Sequence, residues 1–247
     1  MPTTHSSKAK SFDIGRPEYP SEFFDRLYNE FELNNSAVIA DIGSGTGKVA
    51  RHFLERGNKV FAIEYDADML NISNKNLHHF PNYIPICTIA ENTQLEPNSI
   101  DLIFCGNSYC WFDRAKTIPE FLRISHKDAI VIIAYLGGAG LNNPLSTAIN
   151  EMRKKYFPPS PPVFNLSPAF PEGNYTSHEI KWTIYDNKEK FMHASLSQSG
   201  APSESDEFYK TFCNEMETVF DIHSVNGIIA APLRLRYDIG KVCDLLS

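Results

Sequence analysis

The chain has 247 residues, and a hydrophobic content of 42% is enough to bury a sizeable core in one large domain or in a domain with an insertion. The formal net charge of −7 argues against nucleic acid and against an anionic membrane surface as partners, because both attract basic faces. The opening MPTTHSSKAKSF is polar, and no apolar run approaches the roughly 18 residues that span a bilayer, so we expect a cytoplasmic protein with a small-molecule partner.

The cysteines and histidines lack the spacing of a metal site. Five cysteines are an odd number, and none forms a CxxC pair. We therefore expect reduced thiols, most of them in the core, at Cys87, Cys105, Cys110, Cys213 and Cys243. His78 and His79 are adjacent near a predicted helix end, which is not a ligand cluster, so no metal is expected.

The first elements along the chain are a helix and then an alternation of strands and helices. Residues 20–32 have apolar residues at helical spacing, with Ser21 as a candidate cap. The predicted strands are 37–40, 59–65, 82–90, 99–106 and 128–138, and the helices between them are 48–57, 66–79 and 113–126. This alternation predicts an α/β fold with a Rossmann-like, doubly wound, mainly parallel sheet.

The amino-acid composition changes over residues 140–203. Half of the chain's sixteen prolines fall there, beside aromatic residues that include Phe157, Phe164, Phe170, Tyr175, Trp182 and Phe191. A flexible linker is poor in aromatics, so we interpret this segment as an insertion that forms a lid or substrate wall within a single domain spanning 1–247. A helix over 204–220 and one or two closing strands over 223–242 complete the prediction.

The stretch ADIGSGTGKVARHF, residues 40–53, places three glycines in a strand-to-helix turn. Gly43, Gly45 and Gly47 let the backbone approach a ligand, and the following helix offers N–H groups to a carboxylate or phosphate. The spacing is not the dinucleotide pattern GxGxxG, because Lys48 occupies the third glycine's place, and no GK[ST] of a P-loop ends the turn. A [DE]xGxGxG pattern that begins at Asp41 remains.

That pattern resembles the signature of class I S-adenosylmethionine methyltransferases. The stretch AENTQLEPNSIDLIFCGNSYCWFD, residues 90–113, is similar to the AExTxLPDxSxDLV segment of type 11 methyltransferases and the QAFHWFD-like run after it. The opening FDIGRPEYPSEFFDRL and the later FMHASLSQSGAP and IAAPLRLRY also resemble this family, nearest to its trans-aconitate-methyltransferase-like branch. The resemblance covers most of the chain and implies S-adenosylmethionine as cofactor.

The resemblance also implies roles for individual residues. The three glycines face the methionine moiety, Asp41 orders the loop and its contacts to the amine, and Glu64, which ends the second strand, holds the ribose. An NAD-dependent enzyme would also have an acidic residue at the end of its second strand, so Glu64 indicates a ribose but does not distinguish the two cofactors. Asp41 has a structural alternative, because its carboxylate caps the turn equally well.

Further implied contacts surround the adenine and the reacting sulfur. Tyr65 and Met69 flank the adenine on one side and Ala90 and Glu91 on the other, while Asn107 lies beside the methionine portion. Ile89 stands where the family often has an acid, so adenine recognition rests on backbone groups or on Glu91. Met69 is equally well explained as a core residue.

The weak catalytic candidates are Tyr19 and Trp111. Their rings would stabilise the sulfonium by about 0.5–2 kcal/mol per contact, or they are ordinary core aromatics.

The sequence does not identify the molecule that accepts the methyl group. A sulfonium donor is already activated, so the protein's main task is to align the acceptor and exclude water. Cys110 replaces the histidine that many relatives have before the Trp-Phe-Asp run, and His178 or His193 would be the substitutes for a base. We therefore hypothesise a small-molecule methyltransferase whose acceptor is a carboxylic acid. The alternative is a cofactor-binding sensor or scaffold without turnover, and an oxidoreductase is disfavoured by the glycine spacing.

Overall fold

The protein was analysed as a computed structural model, which describes residues 8–31, 33–138, 143–159 and 168–245. Within these ranges one sheet has seven strands: β1 (Val38–Ile42), β2 (Lys59–Glu64), β3 (Tyr83–Cys87), β4 (Ile100–Gly106), β5 (Ser125–Gly138), β6 (Tyr175–Asp186) and β7 (Ile229–Lys241). Their order is β3-β2-β1-β4-β5-β7-β6, and the neighbours from β3 to β5 are parallel. This confirms the doubly wound, mainly parallel prediction.

The strand order reverses between β1 and β4, and this reversal positions the site. In parallel α/β sheets, ligands bind beyond the carboxyl ends of the strands at such a switch point. The segments that follow β1, β2 and β4 therefore carry the candidate residues.

Eight α-helices complete the described chain: α1 (Ala9–Gly15), α2 (Ser21–Asn29), α3 (Lys48–Glu55), α4 (Ala67–Leu77), α5 (Arg114–Ile124), α6 (Pro144–Tyr156), α7 (Lys188–Leu196) and α8 (Tyr209–His223). Their apolar residues face cores because they recur at helical spacing; in α2, for example, Phe23, Phe24 and Leu27 are buried. None of the helices in the described ranges is long and apolar enough to cross a membrane.

The chain divides into two compact units. The larger comprises Glu18–Leu136, Pro162–Ile180 and Leu235–Ser247, and its core includes Ile42, Ile103 and Phe121. The smaller comprises Met1–Pro17, Gly137–Pro161 and Lys181–Arg234, and its core includes Phe191, Phe212 and Met216. Every candidate cofactor residue belongs to the larger unit.

Three local predictions were wrong. Ser21 is not a cap: α2 follows Pro20, whose extended backbone precedes the first turn, and no side chain caps it. The helix predicted from residue 204 begins only at Tyr209, because Asp206 folds back to accept hydrogen bonds from Ser203. All five cysteines are free thiols, but only Cys105 and Cys110 are buried.

Segment 140–203 has more regular structure than its prolines indicate, since it contains α6, β6 and α7. Two of its aromatic residues are fully packed: Phe170 is stacked on Tyr175 in the larger unit, and Phe191 is in the core of the smaller unit. Phe164 lies outside the described residues. The sequence analysis did not assign β6 because it grouped Tyr175 and Trp182 with the proline-rich insertion, although alternating polar residues are typical of a strand.

Candidate functional site

The loop between β1 and α3 has a backbone that only glycine adopts readily. Gly43, Gly45 and Gly47 have φ angles of 72°, 58° and 83°. A Cβ at Gly43 would lie 2.5 Å from the Cβ of Ser108, and one at Gly47 would lie 2.5 Å from the Cδ1 of Leu77. The loop therefore packs closely against the segment after β4 and against α4.

The amides of this loop bond mainly to the chain itself. Ile63 accepts hydrogen bonds from the amides of Gly43 and Ser44 at 2.8 and 3.0 Å. The amide of Gly45 donates to Glu64 Oε2 at 2.8 Å. The loop is thus fastened to the carboxyl end of β2, and the amides of Gly43, Ser44 and Gly45 are used within the chain.

Glu64 is the residue that joins the loop to the next helix. Its side chain is buried, and Oε1 accepts a hydrogen bond from the amide of Asp66 at 2.9 Å while Oε2 holds Gly45. Burial raises the pKa of Glu64, and the two amides oppose that rise. Each carboxylate oxygen accepts more than one hydrogen bond, so both retain capacity for a hydroxyl donor such as a ribose.

Three buried polar atoms at the end of β1 and in the loop after it lack partners among the described residues: Asp41 Oδ2, Ser44 Oγ and Thr46 Oγ1. Asp41 is only 2% exposed, and burial together with the nearby Glu64 charge raises its pKa to about 8, against the opposing effect of the Ala50 amide. Buried polar groups are almost always hydrogen-bonded in native proteins. Three such atoms between residues 41 and 46 fit a polar ligand that approaches the glycines.

The start of α4 is fixed by Asp66, whose Oδ1 accepts hydrogen bonds from Asp68 and Met69 at 2.9 and 3.3 Å. On either side of this cap the two predicted adenine contacts differ. Tyr65 is 46% exposed, whereas Met69 is 2% exposed and packs as core. Tyr65 is therefore the residue of this pair that a ligand reaches without a rearrangement.

Ala90 and Glu91, which follow β3, both contact other parts of the chain. Ala90 is buried in the core of the larger unit, and Glu91 Oε1 accepts a hydrogen bond from the amide of Asp113 at 3.1 Å. Glu91 thus stabilises the turn before α5. Ile89 is 44% exposed, so an apolar side chain stands at the surface where the family often has an acid.

Asn107 extends the pairing of β4 with β5 through its side chain. Its Nδ2 donates to the carbonyl oxygen of Leu136 at 2.9 Å, and its Oδ1 accepts from the Leu136 amide at 2.8 Å. Asn107 has a φ of 56°, which asparagine tolerates better than most residues. Next to it, Ser108 donates to the carbonyl of Ile42 at 2.6 Å, which ties the end of β4 to the end of β1.

The two aromatic candidates lie at the same end of β4. Tyr19 packs against Phe23, Phe24 and Phe104, and its hydroxyl would be 2.7 Å from a Cβ at Gly106. Trp111 is partly buried in the 3-10 turn Tyr109–Trp111. Both side chains therefore belong to the walls around the strand ends, with Tyr19 the more firmly packed.

Three titratable groups near the end of β4, Cys110, Tyr109 and Tyr135, stay protonated at neutral pH. Burial raises the pKa of Cys110 to about 11 and that of Tyr109 to about 12, and it also raises the pKa of Tyr135. The thiol of Cys110 is directed to the carbonyl of Asn107 at 3.9 Å. In the described part of the chain, no group of three or more His, Cys, Asp or Glu side chains could hold a metal ion.

The two histidines considered as bases have other contacts. His178 is stacked on Tyr237 and meets Phe31 edge-on, and His193 Nδ1 is 3.0 Å from Ser11 Oγ. His193 therefore has a hydrogen-bond partner, whereas His178 Nε2 is buried without one among the described residues.

Sequence reasoning missed four residues of the site: Ser44, Thr46, Asp66 and Ser108. Two of them had a signal, since hydroxyl residues alternate with the three glycines. Asp66 also had one, because an Asp just before an amphipathic run is a common helix cap. Ser108 had none, because its bond to Ile42 joins positions 66 residues apart.

The comparisons with known proteins agree with this geometry. A family model described as a methyltransferase domain matches residues 40–133, which contain every candidate cofactor residue from Asp41 to Asn107. An uncharacterized methyltransferase of Mycobacterium tuberculosis is 31% identical over 124 residues, which are 50% of this chain and 48% of the relative. The chain spans about half the length of the curated relatives it matches.

Two further similarities bear on the chemistry and on the fold. A malonyl-[acyl-carrier protein] O-methyltransferase of a Marinomonas species is 30% identical over 111 residues, 42% of this chain and 41% of the relative. The structure of a SAM-dependent methyltransferase from Thiobacillus denitrificans, in complex with S-adenosyl-L-homocysteine, aligns with a TM-score of 0.56 at 11% identity over 98% of this chain and 99% of that one. The protein therefore has the α/β class I methyltransferase fold.

Proposed function

We propose that this protein is an S-adenosylmethionine-dependent methyltransferase that acts on a small molecule. The observation that carries the proposal is the end of β1 with the glycine loop after it, where Asp41, Ser44 and Thr46 present buried polar atoms without partners among the described residues, beside Glu64. This loop lies inside the segment that matches the methyltransferase domain model. The wider resemblance of the sequence to this family supports the same activity.

The proposed cofactor contacts use groups that the fold already orients. Glu64 accepts hydrogen bonds from the ribose hydroxyls, and Asp41 Oδ2 accepts one from the ammonium of the methionine portion, whose positive charge favours the ionised form of this carboxyl against its raised pKa. Tyr65 covers the adenine from its exposed position. The bound sulfonium supplies an activated methyl group. Asn107 and Ser108 contribute by holding the ends of β4, β5 and β1 at fixed distances around it.

We further propose that the acceptor is a carboxylic acid. Cys110, Tyr109 and Tyr135 all have raised pKa values, so none of them is a proton acceptor at neutral pH. A carboxylate is already ionised at that pH and needs only positioning and desolvation. The guanidinium of Arg114, 4.9 Å from the centre of the Tyr109 ring, adds a positive charge that favours an anion.

Two similarities support an acid acceptor without identifying it. The printed name of the Marinomonas relative describes methylation of a malonyl group at oxygen, and the matched segment includes 42% of this chain. The sequence also resembles the trans-aconitate-methyltransferase-like branch. We propose on this basis that the acceptor is a small di- or monocarboxylate rather than an alcohol.

Segment 140–203 remains our proposed acceptor-side segment. Limited proteolysis tests this with three samples: the protein alone, with S-adenosylhomocysteine, and with S-adenosylhomocysteine plus a set of small carboxylates. We expect the last sample to protect cleavage sites within 140–203 more than the second. Equal cleavage in all three samples contradicts a role for the segment in acceptor binding.

The cofactor and the reaction are tested in two steps. Calorimetry with S-adenosylmethionine, S-adenosylhomocysteine and NAD should show binding of the first two only. A screen of small carboxylates and alcohols for release of S-adenosylhomocysteine then separates an enzyme from a binding protein without turnover. Binding of NAD alone would overturn the cofactor assignment, and turnover with alcohols but not with acids would overturn the acceptor assignment.

A further inference from the structure

The carboxyl ends of β1 and β2 carry two buried acids. Asp41 is 2% exposed and Glu64 is 6% exposed. The two strands are parallel neighbours in which Asp41 pairs with Ala62, so Glu64 follows shortly beyond that pair on the next strand. The charge of Glu64 acts on Asp41 and disfavours a second negative charge there. The fold thus brings two carboxyl groups together away from solvent.

The two acids differ in their hydrogen-bond partners. Both oxygens of Glu64 accept an amide, since Oε1 is bonded to Asp66 at 2.9 Å and Oε2 to Gly45 at 2.8 Å. Asp41 accepts a hydrogen bond from the amide of Ala50, and its Oδ2 has no partner among the described residues. Amide donors stabilise the ionised form of a carboxyl group. Glu64 is therefore better equipped than Asp41 to carry a negative charge.

The groups that face Asp41 from β3 and β4 add no positive charge. They are Tyr83 and Cys105, and burial together with the charge of Asp41 raises the pKa of both. The hydroxyl of Tyr83 also shares a hydrogen bond with Ser73 at 2.7 Å. A phenol and a thiol with raised pKa values are uncharged at neutral pH. Neither of them balances a charge on Asp41.

The basic residues of α3, the helix after the glycine loop, are engaged elsewhere. Lys48 Nζ lies 2.7 Å from Glu18 Oε1, and Arg51 Nη2 lies 3.0 Å from Glu18 Oε2. The ring of His52 is stacked on Phe24 with 4.2 Å between the ring centres, and burial lowers the pKa of His52. In this helix, which the structure describes from end to end, the two positive side chains are thus paired with Glu18.

A proton on Asp41 limits the negative charge of this site in the free protein. Burial, with the charge of Glu64 added to it, raises the pKa of Asp41 to about 8, so this carboxyl group is largely protonated at neutral pH. The ammonium of the cofactor's methionine portion brings a positive charge of its own. A cation within hydrogen-bond distance of a carboxyl group favours its ionised form. The ammonium and the proton therefore compete for the same carboxyl group.

We propose that the cofactor's ammonium replaces the proton on Asp41, so that binding releases about one proton and strengthens as the pH rises through neutrality. The proton passes from the carboxyl group to solvent and the ammonium keeps its own protons, so one positive charge takes the place of another. The inference rests on the proposed function, since it concerns the same cofactor, and it adds a dependence of affinity on pH.

Calorimetry of S-adenosylhomocysteine binding at about pH 7, in buffers of different ionisation enthalpy, counts the protons released. This ligand has the ammonium but not the sulfonium, so a release does not depend on the sulfur charge. We expect about 0.9 proton per ligand bound, because a group with a pKa of about 8 is largely protonated at that pH. The matched ligand is 5′-methylthioadenosine, which has the adenine and ribose without the amino acid portion and should release less than about 0.2 proton.

The pH dependence of affinity measures the same exchange independently. Affinity for S-adenosylhomocysteine should rise by up to about tenfold per pH unit between about pH 6 and about pH 8, where the proton must leave, and then level off. Asp41→Asn has no proton to lose there, so its affinity should stay flat and its proton release should be less than about 0.2. Asp68→Asn makes the same change at an exposed position of α4 and should behave like the native chain.

The possible results separate the exchange from the proposed function. S-adenosylhomocysteine binding without proton release, or with a release that 5′-methylthioadenosine equals, would overturn the exchange and leave the proposed function standing. Proton release that persists in Asp41→Asn would overturn it by assigning the proton to another group. The comparison of the two ligands uses the native chain, so it is decisive even if Asp41→Asn does not fold. Binding of neither ligand would overturn the proposed function and the exchange with it.

Discussion

Two neighbouring strand ends of the larger unit are built in opposite ways. At the end of β1 and in the glycine loop after it, three buried polar atoms lack partners among the described residues, at Asp41, Ser44 and Thr46. After β4, the side-chain amide of Asn107 is bonded to Leu136 through both its nitrogen and its oxygen, and Ser108 donates to Ile42, while Tyr109 Oη is buried without a partner in the described chain. The thiol of Cys110 is buried, with a raised pKa.

We therefore assign the two strand ends different roles: one binds the ligand, and the other holds the surrounding loops in place. Unpartnered buried polar atoms cost free energy in the empty protein, and a polar ligand that pairs with them recovers that cost. Asn107 and Ser108, whose side chains are already paired, have no such gain, but they hold the surrounding loops in place. We infer that affinity for the cofactor resides at the ends of β1 and β2, and that the end of β4 supplies a rigid wall.

The largest effect in this comparison is expected at Glu64. Glu64→Ala removes the carboxylate that fastens Gly45 and Asp66 and that we assign to the ribose, so S-adenosylmethionine affinity should fall by about 3 kcal/mol or more, over a hundredfold. Calorimetry measures the loss. Glu96→Ala is the control, because Glu96 is exposed and its side chain has no assigned role. An unchanged affinity in Glu64→Ala would remove Glu64 from the site.

A smaller loss is expected when the loop can no longer approach β4. Gly43→Ala combines a φ of 72° with a Cβ 2.5 Å from that of Ser108, and the free energy of unfolding should fall by about 2–3 kcal/mol. In Gly57→Ala the φ is 94° but nothing lies within 4 Å, so only the backbone cost of about 1 kcal/mol applies. Urea denaturation compares the two variants. Equal losses would mean that the close approach at Gly43 contributes nothing.

The glycine loop and Glu64 were predictable because their signals are local. A strand, a turn of three glycines and an acid at the next strand's end can be read from about 25 residues of sequence. The bonds after β4 were not predictable, since Asn107 reaches Leu136 across 29 residues and Glu91 reaches Asp113 across 22. Met69 was ambiguous for the same reason: a helix pattern shows that a side chain is buried but not what covers it.

The next effect is a pH dependence that belongs to Asp41. Its pKa is about 8 in the folded protein against an ordinary value of 3.8, so the folded state binds this proton more tightly than the unfolded chain. The contribution to stability is then full below about pH 4 and is lost as the pH rises through about 8, with a slope of up to about 1.4 kcal/mol per pH unit.

Asp41→Asn tests this linkage, because asparagine has no proton to lose there. Urea denaturation of both proteins from about pH 5 to about pH 9 should show that the native chain loses stability relative to the variant as the pH rises. Glu64 is present in both proteins, but its charge contributes to the raised pKa of Asp41, so the difference reports Asp41 together with this coupling. Stability curves that stay parallel over this range would show that Asp41 is already ionised in the folded state.

The smallest effect is expected at Cys110, on the supporting side of the comparison. Burial raises the pKa of its thiol to about 11, so almost no thiolate exists at neutral pH to accept a proton. Cys110→Ala and Cys110→Ser should therefore leave the methyl-transfer rate within about tenfold, a barrier change of about 1.4 kcal/mol or less. Cys87→Ala, at an exposed thiol, is the matched control.

The pH profile of the rate completes this test. A carboxylate acceptor finishes ionising well below neutrality, so the rate of the native enzyme should stay flat from about pH 7 upward. A thiolate base would instead make the rate rise with pH towards the thiol's pKa, and that rise would disappear in Cys110→Ala. A steep loss of rate in Cys110→Ala together with a rising native profile would place the thiol in the reaction, and the end of β4 would then take part in proton transfer as well as in support.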